Sequence, residues 1–440
     1  MVSLSKRTAL CRWFQAGLTV LVCLCTTGCW DSLEIEQRAM VLGLSVDIAQ
    51  VPSDDSHFAT ERNTGNASES PRPLQVQGRP ESEAATARAT AKETARMPIR
   101  LTAQIPIPGR IPLGPGESGG GGANNPSQSV WVVHSTGETV TEALQCLQQQ
   151  VADPLFFGHL RVIVVSREFA QKRGLSDLMD YLRRNPQVRR TLWILVSEHE
   201  AAKLLATAPP LKRVPTLYLI STMDQAIRLG KFPTEFLGVA ESKVVMKGRD
   251  MVLPYVDVQH GETMLLQGMA FFRDYRLAGV VTGIPGVYTY MELCGIRQGG
   301  IVDRAQLPGG SWVVLQSYRR RRSIRLQMVQ DQPVFDVYVH IDFHIHQTSG
   351  DPLNLSNPAT LRLIERRESE KIISAQKDLI RRTQQAGSDI VGFGEFVRAY
   401  RPGWWDAHIQ TKDRWREVYK TLPVHLHVKS RVRVYGMRAR

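Results

Sequence analysis

The stretch Phe157-Gly158-His159-Leu160-Arg161-Val162-Ile163-Val164-Val165 decides the fold class, because it predicts a strand that is followed at once by helical sequence. The helical sequence extends from Glu168 to Arg184, and another strand is predicted from Thr191 to Val196. Strand and helix therefore alternate in this part of the chain. Such alternation is typical of an α/β domain in which part of the sheet is parallel.

The sequence before this stretch predicts further elements of the same domain. Val130-Trp131-Val132-Val133 predicts a strand, and Thr139-Val140-Thr141-Glu142 is a Thr-x-x-Glu capping box that marks a helix start. Apolar residues then recur at helical spacing, namely Val140, Ala143, Leu144, Leu147 and Val151. Further upstream, Ala39 to Ile48 is predicted to be a buried strand that pairs with Ile99 to Ile107.

Two segments of low complexity interrupt this domain, which is predicted to cover residues 29–200. Residues 51–97 contain almost no large apolar side chains, so they cannot bury enough surface to fold. Residues 108–129 contain the run Gly119-Gly120-Gly121-Gly122 and several prolines. Both segments are predicted to be disordered insertions.

The second half of the chain has a different character. Residues 201–262 mix short helical segments with prolines and are predicted to be a linker or middle domain. Residues 263–437 are predicted to form a C-terminal domain with a hairpin around Arg273-Asp274-Tyr275, a β-meander, a long helix and a final strand. The meander strands are Trp312 to Tyr318, Ile324 to Val329 and Val334 to Ile345. The sequence thus predicts an α/β fold with mixed α+β sheets in three domains.

The final strand, Val424 to Tyr435, alternates between two kinds of residue. Its apolar positions predict one face in the core, whereas His425, His427, Lys429, Arg431 and Arg433 predict a solvated, basic opposite face. The long helix, Ala359 to Gln385, carries an apolar stripe. Glu368 falls in the middle of this stripe, so we expect an ion pair with an arginine of the same domain or a contact with a partner subunit.

The first 28 residues have the organisation of a cleaved signal peptide, with a basic start and a short apolar run from Phe14 to Cys25. This run is shorter than the roughly 18 to 20 residues that a membrane-spanning helix needs. Thr26-Thr27-Gly28-Cys29 resembles a lipobox, which predicts that Cys29 is diacylated and begins the mature chain. Two acyl chains hold a protein stably on a membrane. The alternative is an ordinary signal peptide with an unmodified cysteine.

Charge and cysteine usage narrow the functional classes. The net charge of +13 favours contact with anionic lipid headgroups or an acidic partner, and nucleic acid is the rival explanation. Outside the leader and Cys29, the remaining cysteines Cys146 and Cys294 are predicted to be buried small hydrophobes. The sequence predicts no active site, no cofactor and no metal site.

Residues distributed over the whole chain form a signature. Its start is Cys29-Trp30-Asp31 and an apolar segment ending in Gly43-Leu44-Ser45-Val46-Asp47. Its middle is Thr136-Gly137-Glu138-Thr139, Gly158-His159-Leu160-Arg161-Val162 and Arg183-Arg184-Asn185-Pro186-Gln187-Val188-Arg189. Its end is Ser388-Asp389-Ile390-Val391-Gly392-Phe393-Gly394, Trp415 and a last strand closing at Gly436. In this order and spacing, the signature resembles the Ger(x)C family of lipoproteins, the C subunits of nutrient germinant receptors in spore-forming bacteria.

The resemblance implies a noncatalytic receptor subunit, and we interpret the chain as a lipid-anchored subunit that assists receptor assembly and spore germination. It implies attachment to a membrane through diacylated Cys29, membrane-embedded A and B subunits as partners, no nucleic acid, and a location on the outer face of the spore's inner membrane. The two insertions depart from the family, in which this region is typically a compact hairpin. The alternative is a surface lipoprotein that itself binds a small ligand, and an enzyme is a third possibility.

An arginine run is the most distinctive candidate for a contact surface. Arg319, Arg320, Arg321 and Arg322 follow Tyr318 and are predicted to form a hairpin turn between two strands. Such a turn is either simply solvated or in contact with a phospholipid headgroup or an acidic subunit.

A second candidate is the strand from Val334 to His346. Its polar face presents His340, Asp342, His344 and His346, which could together hold a metal ion. A solvated polar face is the commoner arrangement, so no metal ligand is assigned.

Overall fold

The computed structural model describes residues 37–49, 97–107, 129–207, 212, 214–259, 263–297, 300, 302–307, 310–349, 355 and 357–433. Two sheets organise these residues, one of eight strands and one of four, and a short two-stranded ladder accompanies them. The two predicted insertions lie outside the described residues except for Met97 and Ser129.

The eight-stranded sheet is mixed. The first ten strands of the chain are β1 (Ala39–Met40), β2 (Gly43–Ile48), β3 (Ile99–Pro106), β4 (Val130–Gly137), β5 (Leu155–Phe156), β6 (Val162–Ser166), β7 (Trp193–Ser197), β8 (Val252–Gln259), β9 (Thr263–Arg273) and β10 (Arg276–Thr282). Strands β1 and β5 pair with each other, and the others form the sheet in the order β10-β9-β8-β7-β6-β2-β3-β4. Its central strands β8, β7, β6 and β2 are parallel, which confirms the predicted α/β character.

Helices cover both faces of this sheet. They are α1 (Val140–Gln148), α2 (Arg167–Lys172), α3 (Ser176–Arg184), α4 (Ala201–Ala206), α5 (Pro215–Arg228) and α6 (Leu237–Val245). Alternate residues of β6 face different cores: Val162 and Val164 pack with residues of α4 and α5, whereas Ile163 and Val165 pack with residues of α1, α2 and α3. A parallel strand buried on both faces explains the continuous apolar run in the sequence. The predicted capping box is also present, since Thr139 Oγ1 accepts the backbone N–H of Glu142 at 3.1 Å.

The segment 201–262, predicted to be a linker or middle domain, instead packs into this same layer. It contributes α4, α5 and α6 and then strand β8, which lies between β7 and β9 in the sheet. Two of the prolines that suggested a linker fit within these elements, because Pro215 begins α5 and Pro254 lies in β8. The sheet therefore continues from the predicted N-terminal domain into the hairpin β9–β10 of the predicted C-terminal domain.

The four-stranded sheet has the order β11-β12-β13-β14. Its strands are β11 (Val302–Gln306), β12 (Trp312–Val329), β13 (Gln332–Ser349) and β14 (Val424–Arg433). The remaining helices are α7 (Ile284–Cys294), α8 (Pro358–Ala386), α9 (Phe393–Tyr400), α10 (Pro402–His408) and α11 (Lys412–Lys420). One face of the sheet packs with α7 and α8 through Val313, Leu315, Phe335, Val337 and Val339, among others. The predicted long helix is thus α8, and the chain between Gln384 and Val424 returns so that β14 runs parallel to β13.

A buried polar junction joins the two sheets' layers. The Asp389 carboxylate accepts the backbone N–H groups of Gly392 and Gly394 at 2.7 and 2.9 Å and the indole N–H of Trp415 at 3.0 Å. The backbones of Asp389 and Asp250 are also bonded, because Asp250 N donates to Asp389 O at 2.8 Å. Burial raises the pKa of Asp389 to about 6, although these hydrogen bonds oppose the increase.

Candidate functional site

The outer face of the four-stranded sheet carries an ordered array of polar side chains. The register of β12, β13 and β14 places these residues side by side in rows. Successive rows are Arg325, Asp336 and His425; Ser323, Tyr338 and His427; Arg321, His340 and Lys429; and Arg319, Asp342 and Arg431, with His344 beside Arg433 beyond them. Because adjacent strands lie about 4.8 Å apart, each row is a contiguous strip.

The two ends of this array differ in charge. At one end, Asp336 Oδ1 lies 2.9 Å from His427 Nε2 and 3.6 Å from His425 Nδ1. The hydrogen bond with His427 lowers the pKa of Asp336. Arg325 lies opposite Asp336, so this end places a carboxylate beside a permanent cation.

The other end is cationic, and we call it the basic face. It consists of the exposed side chains of Arg319, Arg321, Lys429, Arg431 and Arg433. None of these five cations forms a salt bridge with another described residue. Asp342 is the carboxylate that shares their rows, so the basic face keeps a clear positive excess.

A groove of about 820 Å³ is associated with the basic face. Seven of its thirteen lining residues are arginine or lysine, and two are acidic. The lining includes all five residues of the basic face together with Tyr338 and His340. Its composition suits a multiply charged anionic surface better than an apolar ligand.

The arginine run does not form the predicted hairpin turn, because β12 continues through it as one strand. A β-bulge explains the difference: Ser317 pairs with Phe343 and Arg319 with Asp342, so Tyr318 is the extra residue. The bulge reverses which side chains point outward, and it places Arg319 and Arg321 on the outer face. The true turn lies at Gln330 and Asp331, whose positive φ angles of 48° and 60° suit a two-residue hairpin.

The other two arginines of the run face α7. The guanidinium of Arg320 lies 5.6 Å from the ring centre of Tyr288, and the Arg322 Nη1 donates to Leu293 O at 2.8 Å. Burial lowers the pKa of both arginines. Of the four arginines, therefore, Arg319 and Arg321 are available to a binding partner, whereas Arg320 and Arg322 belong to the packing of the domain.

Glu368 is buried in the layer beneath the sheet rather than displayed to a partner, with 1% of its surface exposed. It forms no salt bridge among the described residues, so the predicted ion pair with an arginine is not observed. Burial, with a further contribution from the negative charge of Asp303, raises its pKa to about 8. The nearby Glu292, which accepts a hydrogen bond from Gln376 at 3.0 Å, has its pKa raised by burial to about 7.

The histidine strand does not assemble a metal site in the part of the chain that the structure describes. His344 instead stacks on Tyr318 with ring centres 3.8 Å apart. His340 and His346 of the same strand are exposed.

The predicted lipidation site, Cys29, lies outside the described residues. Within the described ranges, no helix combines the length and the apolar character needed to cross a bilayer.

A second concave surface lies on the eight-stranded layer, between α5 and β9. This apolar groove has a volume of about 530 Å³, and Tyr218, Leu229, Leu265 and Ile284 contribute to its lining. Lys212 Nζ donates to Ser221 Oγ at 2.6 Å in its wall. The groove is therefore an apolar surface with a small number of polar groups.

The sequence indicated the cations of the basic face on β12 and those on β14 separately, but it did not predict that the two groups lie close together. The alternation in β14 indicated Lys429, Arg431 and Arg433, and the arginine run indicated Arg319 and Arg321. The pairing of β14 with β13 brings these two sets together across one intervening strand. No local pattern encodes that pairing, because the two sets are separated in sequence by α8 and three further helices.

Two family models match the chain. The model described as Spore germination protein N-terminal domain matches residues 31–258, and the model described as Spore germination B3/GerAC like, C-terminal matches residues 267–436.

Curated relatives match nearly the full length of the chain. The putative spore germination protein YfkR of Bacillus subtilis is 24% identical, with 94% of each chain covered. Spore germination protein KC of the same organism is 22% identical, with 96% of each chain covered. A crystal structure of the GerBC protein is similar in fold, with a TM-score of 0.52 and 16% identity, over 76% of this chain and 94% of that chain.

Proposed function

The chain belongs to the Ger(x)C family of spore germination proteins, and from this membership we propose that it is a noncatalytic, lipid-anchored subunit of a nutrient germinant receptor. In this role it assists the assembly of membrane-embedded A and B subunits on the outer face of the spore's inner membrane. The observation that carries the proposal is the basic face, a surface with five exposed cations and one carboxylate, Asp342, in the same rows. Such a surface is suited to docking rather than to bond-making chemistry.

The lipid anchor is tested at the mature N-terminus. Mass spectrometry of the membrane-extracted chain should find a diacylglyceryl group on Cys29, and Cys29→Ala should lose both the modification and retention on the membrane. An unmodified N-terminus, or cleavage at another position, would contradict the anchor.

The assembly role is tested in spores that lack the gene. We expect a lower amount of the A and B subunits and slower nutrient-triggered germination, both restored by the unmodified chain. Germination triggered by a route that bypasses nutrient receptors should be unchanged, which provides the control. Normal subunit amounts and normal nutrient responses in the deletion would overturn the proposal.

A second candidate function, capture of a small ligand by this chain itself, is favoured by the apolar groove. Its volume lies within the range of about 300 to 1,000 Å³ that is usual for ligand pockets. If apolar amino acids bind there, they should raise the melting temperature of the unmodified chain. Leu229→Glu, a change at an exposed position in the groove lining, should abolish that increase.

A further inference from the structure

Five cations of the basic face lie in a nearly continuous two-dimensional array. Arg321 and Lys429 flank His340 in one row, Arg319 and Arg431 flank Asp342 in the next, and Arg433 follows beside His344. All five are held on strands of one hydrogen-bonded sheet, so their backbone positions are fixed relative to one another. The array therefore presents several cations to one plane at the same time.

The charge of this array exceeds its compensation within the described part of the molecule, because Asp342 is the one carboxylate in rows that carry five cations. At the opposite end of the same sheet, Asp336 accepts a hydrogen bond from His427 and lies opposite Arg325. No comparable pairing is found for the five cations. The remaining counter-charge therefore comes from outside the described residues.

We propose that the basic face lies against the phosphate headgroups of an anionic phospholipid bilayer. A bilayer offers many equivalent phosphates in one plane, so that a flat array of cations can engage several of them without a matching shape. Clusters of lysine and arginine are attracted to anionic leaflets in this way.

The composition of the face distinguishes a bilayer from an acidic protein. Arginine and tyrosine are enriched at protein interfaces as well, but the central part of such an interface is depleted in charged residues as a group and is built on apolar anchors. In the rows described above, Tyr338 is the exposed large hydrophobic residue, and it stacks on His427 with ring centres 4.6 Å apart. Tyrosine is a residue type enriched at the level of lipid headgroups, so it fits the proposed membrane contact.

This inference rests on the proposed membrane location and adds an orientation to it. Two acyl chains on Cys29 would be a sufficient tether, so the basic face is not required for retention. It would instead determine which surface of the tethered body faces the bilayer, and the four-stranded sheet would lie close to the membrane plane.

The test uses a chain that begins at Trp30 and therefore keeps every described element. Its binding is measured by sedimentation with phosphatidylcholine vesicles that contain, or lack, about a quarter of phosphatidylglycerol. We expect binding to the anionic vesicles alone, and release at about 1 M salt, where the screening length falls to about 3 Å.

Two matched triple variants locate the binding surface. Arg319→Gln, Arg321→Gln and Arg431→Gln remove three charges from the basic face, whereas Arg362→Gln, Arg366→Gln and Arg367→Gln remove three exposed charges from α8 in the same domain. Each cation near an anionic bilayer contributes about fivefold to binding, so the first variant should bind about a hundredfold more weakly. The second should retain most of the binding. Circular dichroism confirms that both variants fold.

A charge-preserving variant separates a lipid surface from a discrete anion site. With Arg319→Lys, Arg321→Lys and Arg431→Lys, binding to a bilayer should be retained, because it depends on charge rather than on the forked geometry of arginine. Loss of binding in the lysine variant would overturn the proposal in favour of a geometrically specific anion. Absence of binding by the unmodified chain, or equal losses in the two glutamine variants, would also overturn it. None of these outcomes changes the tests of Cys29 or of receptor assembly, which are made in spores.

Discussion

Arg416 of α11 donates through Nη2 to Asp250 Oδ1 at 3.0 Å, and both side chains are buried. Asp250 lies just before β8 of the eight-stranded sheet, whereas α11 precedes β14 of the four-stranded sheet. The same guanidinium donates to Asp274 in the β9–β10 turn at 2.7 Å. One side chain thus connects the C-terminal helices with two positions on the larger sheet.

Arg416→Met should lower the free energy of unfolding by about 1.5 to 3 kcal/mol, the range for losing a hydrogen bond to a charged group, because Lys412 Nζ still lies 2.9 Å from Asp250 Oδ1. Chemical denaturation measures the change. Arg398→Met is the control: Arg398 pairs with Glu395 at 2.7 Å on an exposed helix turn, and its loss should change stability by less than about 1 kcal/mol. Equal effects of the two substitutions would show that Arg416 is not a structural connection.

Gly394→Ala should destabilise the junction around Asp389 by about 1 to 3 kcal/mol. An added Cβ would lie 2.5 Å from Gly248 Cα and 2.5 Å from Trp415 Nε1, so that backbone or a buried ring must move. Gly403→Ala, in α10, is the matched change, since nothing lies within 4 Å of its added Cβ. It should be neutral or stabilising by up to about 1 kcal/mol. Thermal unfolding of the Gly394→Ala and Gly403→Ala variants shows whether the loss of stability comes from crowding at position 394 or from replacing any glycine by alanine.

Glu368→Gln should stabilise the protein at pH 8 and reduce the dependence of stability on pH. The folded-state pKa of about 8 lies above the ordinary value of 4.5. The unfolded chain therefore loses this proton first as pH rises, and stability is fully present below about pH 4.5 and decreases towards pH 8. The expected gain at pH 8 is on the order of 3 kcal/mol.

The pH dependence of stability that remains in the Glu368→Gln variant tests the contribution of Glu292. Glu292, with a pKa of about 7, should leave a residual decrease in the Glu368→Gln variant that ends near pH 7. Denaturation curves at several pH values measure the pH range over which Glu368 lowers stability and the range over which Glu292 does. Glu370→Gln, at an exposed position of the same helix, should leave the profile unchanged, and an unchanged profile in Glu368→Gln itself would contradict the assignment.

Lys243→Met should cost about 3 kcal/mol, and a compensating change at Glu235 should recover part of the loss. Lys243 Nζ donates to Glu235 Oε2 at 2.6 Å, and both side chains are buried. Burial lowers the pKa of Lys243, although the Glu235 charge opposes this. Removing the lysine alone leaves a buried carboxylate, whereas Lys243→Met with Glu235→Gln removes both charges. If the double variant loses as much stability as the two single variants together, Lys243 and Glu235 are not coupled.

Local hydrogen bonds and side-chain periodicity could be predicted from the sequence. The cap at Thr139, the pairing of β2 with β3 and the span of α8 follow from residues close together in the chain or from clear apolar patterns. These features are observed because nothing in the tertiary structure competes with them.

The failures have a common physical cause in long-range packing. Four consecutive arginines resemble a solvated turn. In the structure they lie within the continuous strand β12, which has a β-bulge at Tyr318 and in which Arg320 is buried. Glu368 resembled half of an ion pair with an arginine, but the charged groups that act on it are Asp303, Lys371 and Glu292. Asp250 and Arg416 carried no signal at all, since 166 positions separate them in the sequence.

The eight-stranded sheet has a consequence for how this protein can be recombined with its relatives. The two family matches meet between residues 258 and 267, which is where β8 pairs with β9 inside the sheet. A chimera joined there would pair two strands from different parents inside a sheet whose β8 and β9 are largely buried. A crossover after Thr282, where β10 ends, would transfer the sheet intact, so the natural module boundary for exchange lies downstream of the boundary drawn by sequence similarity.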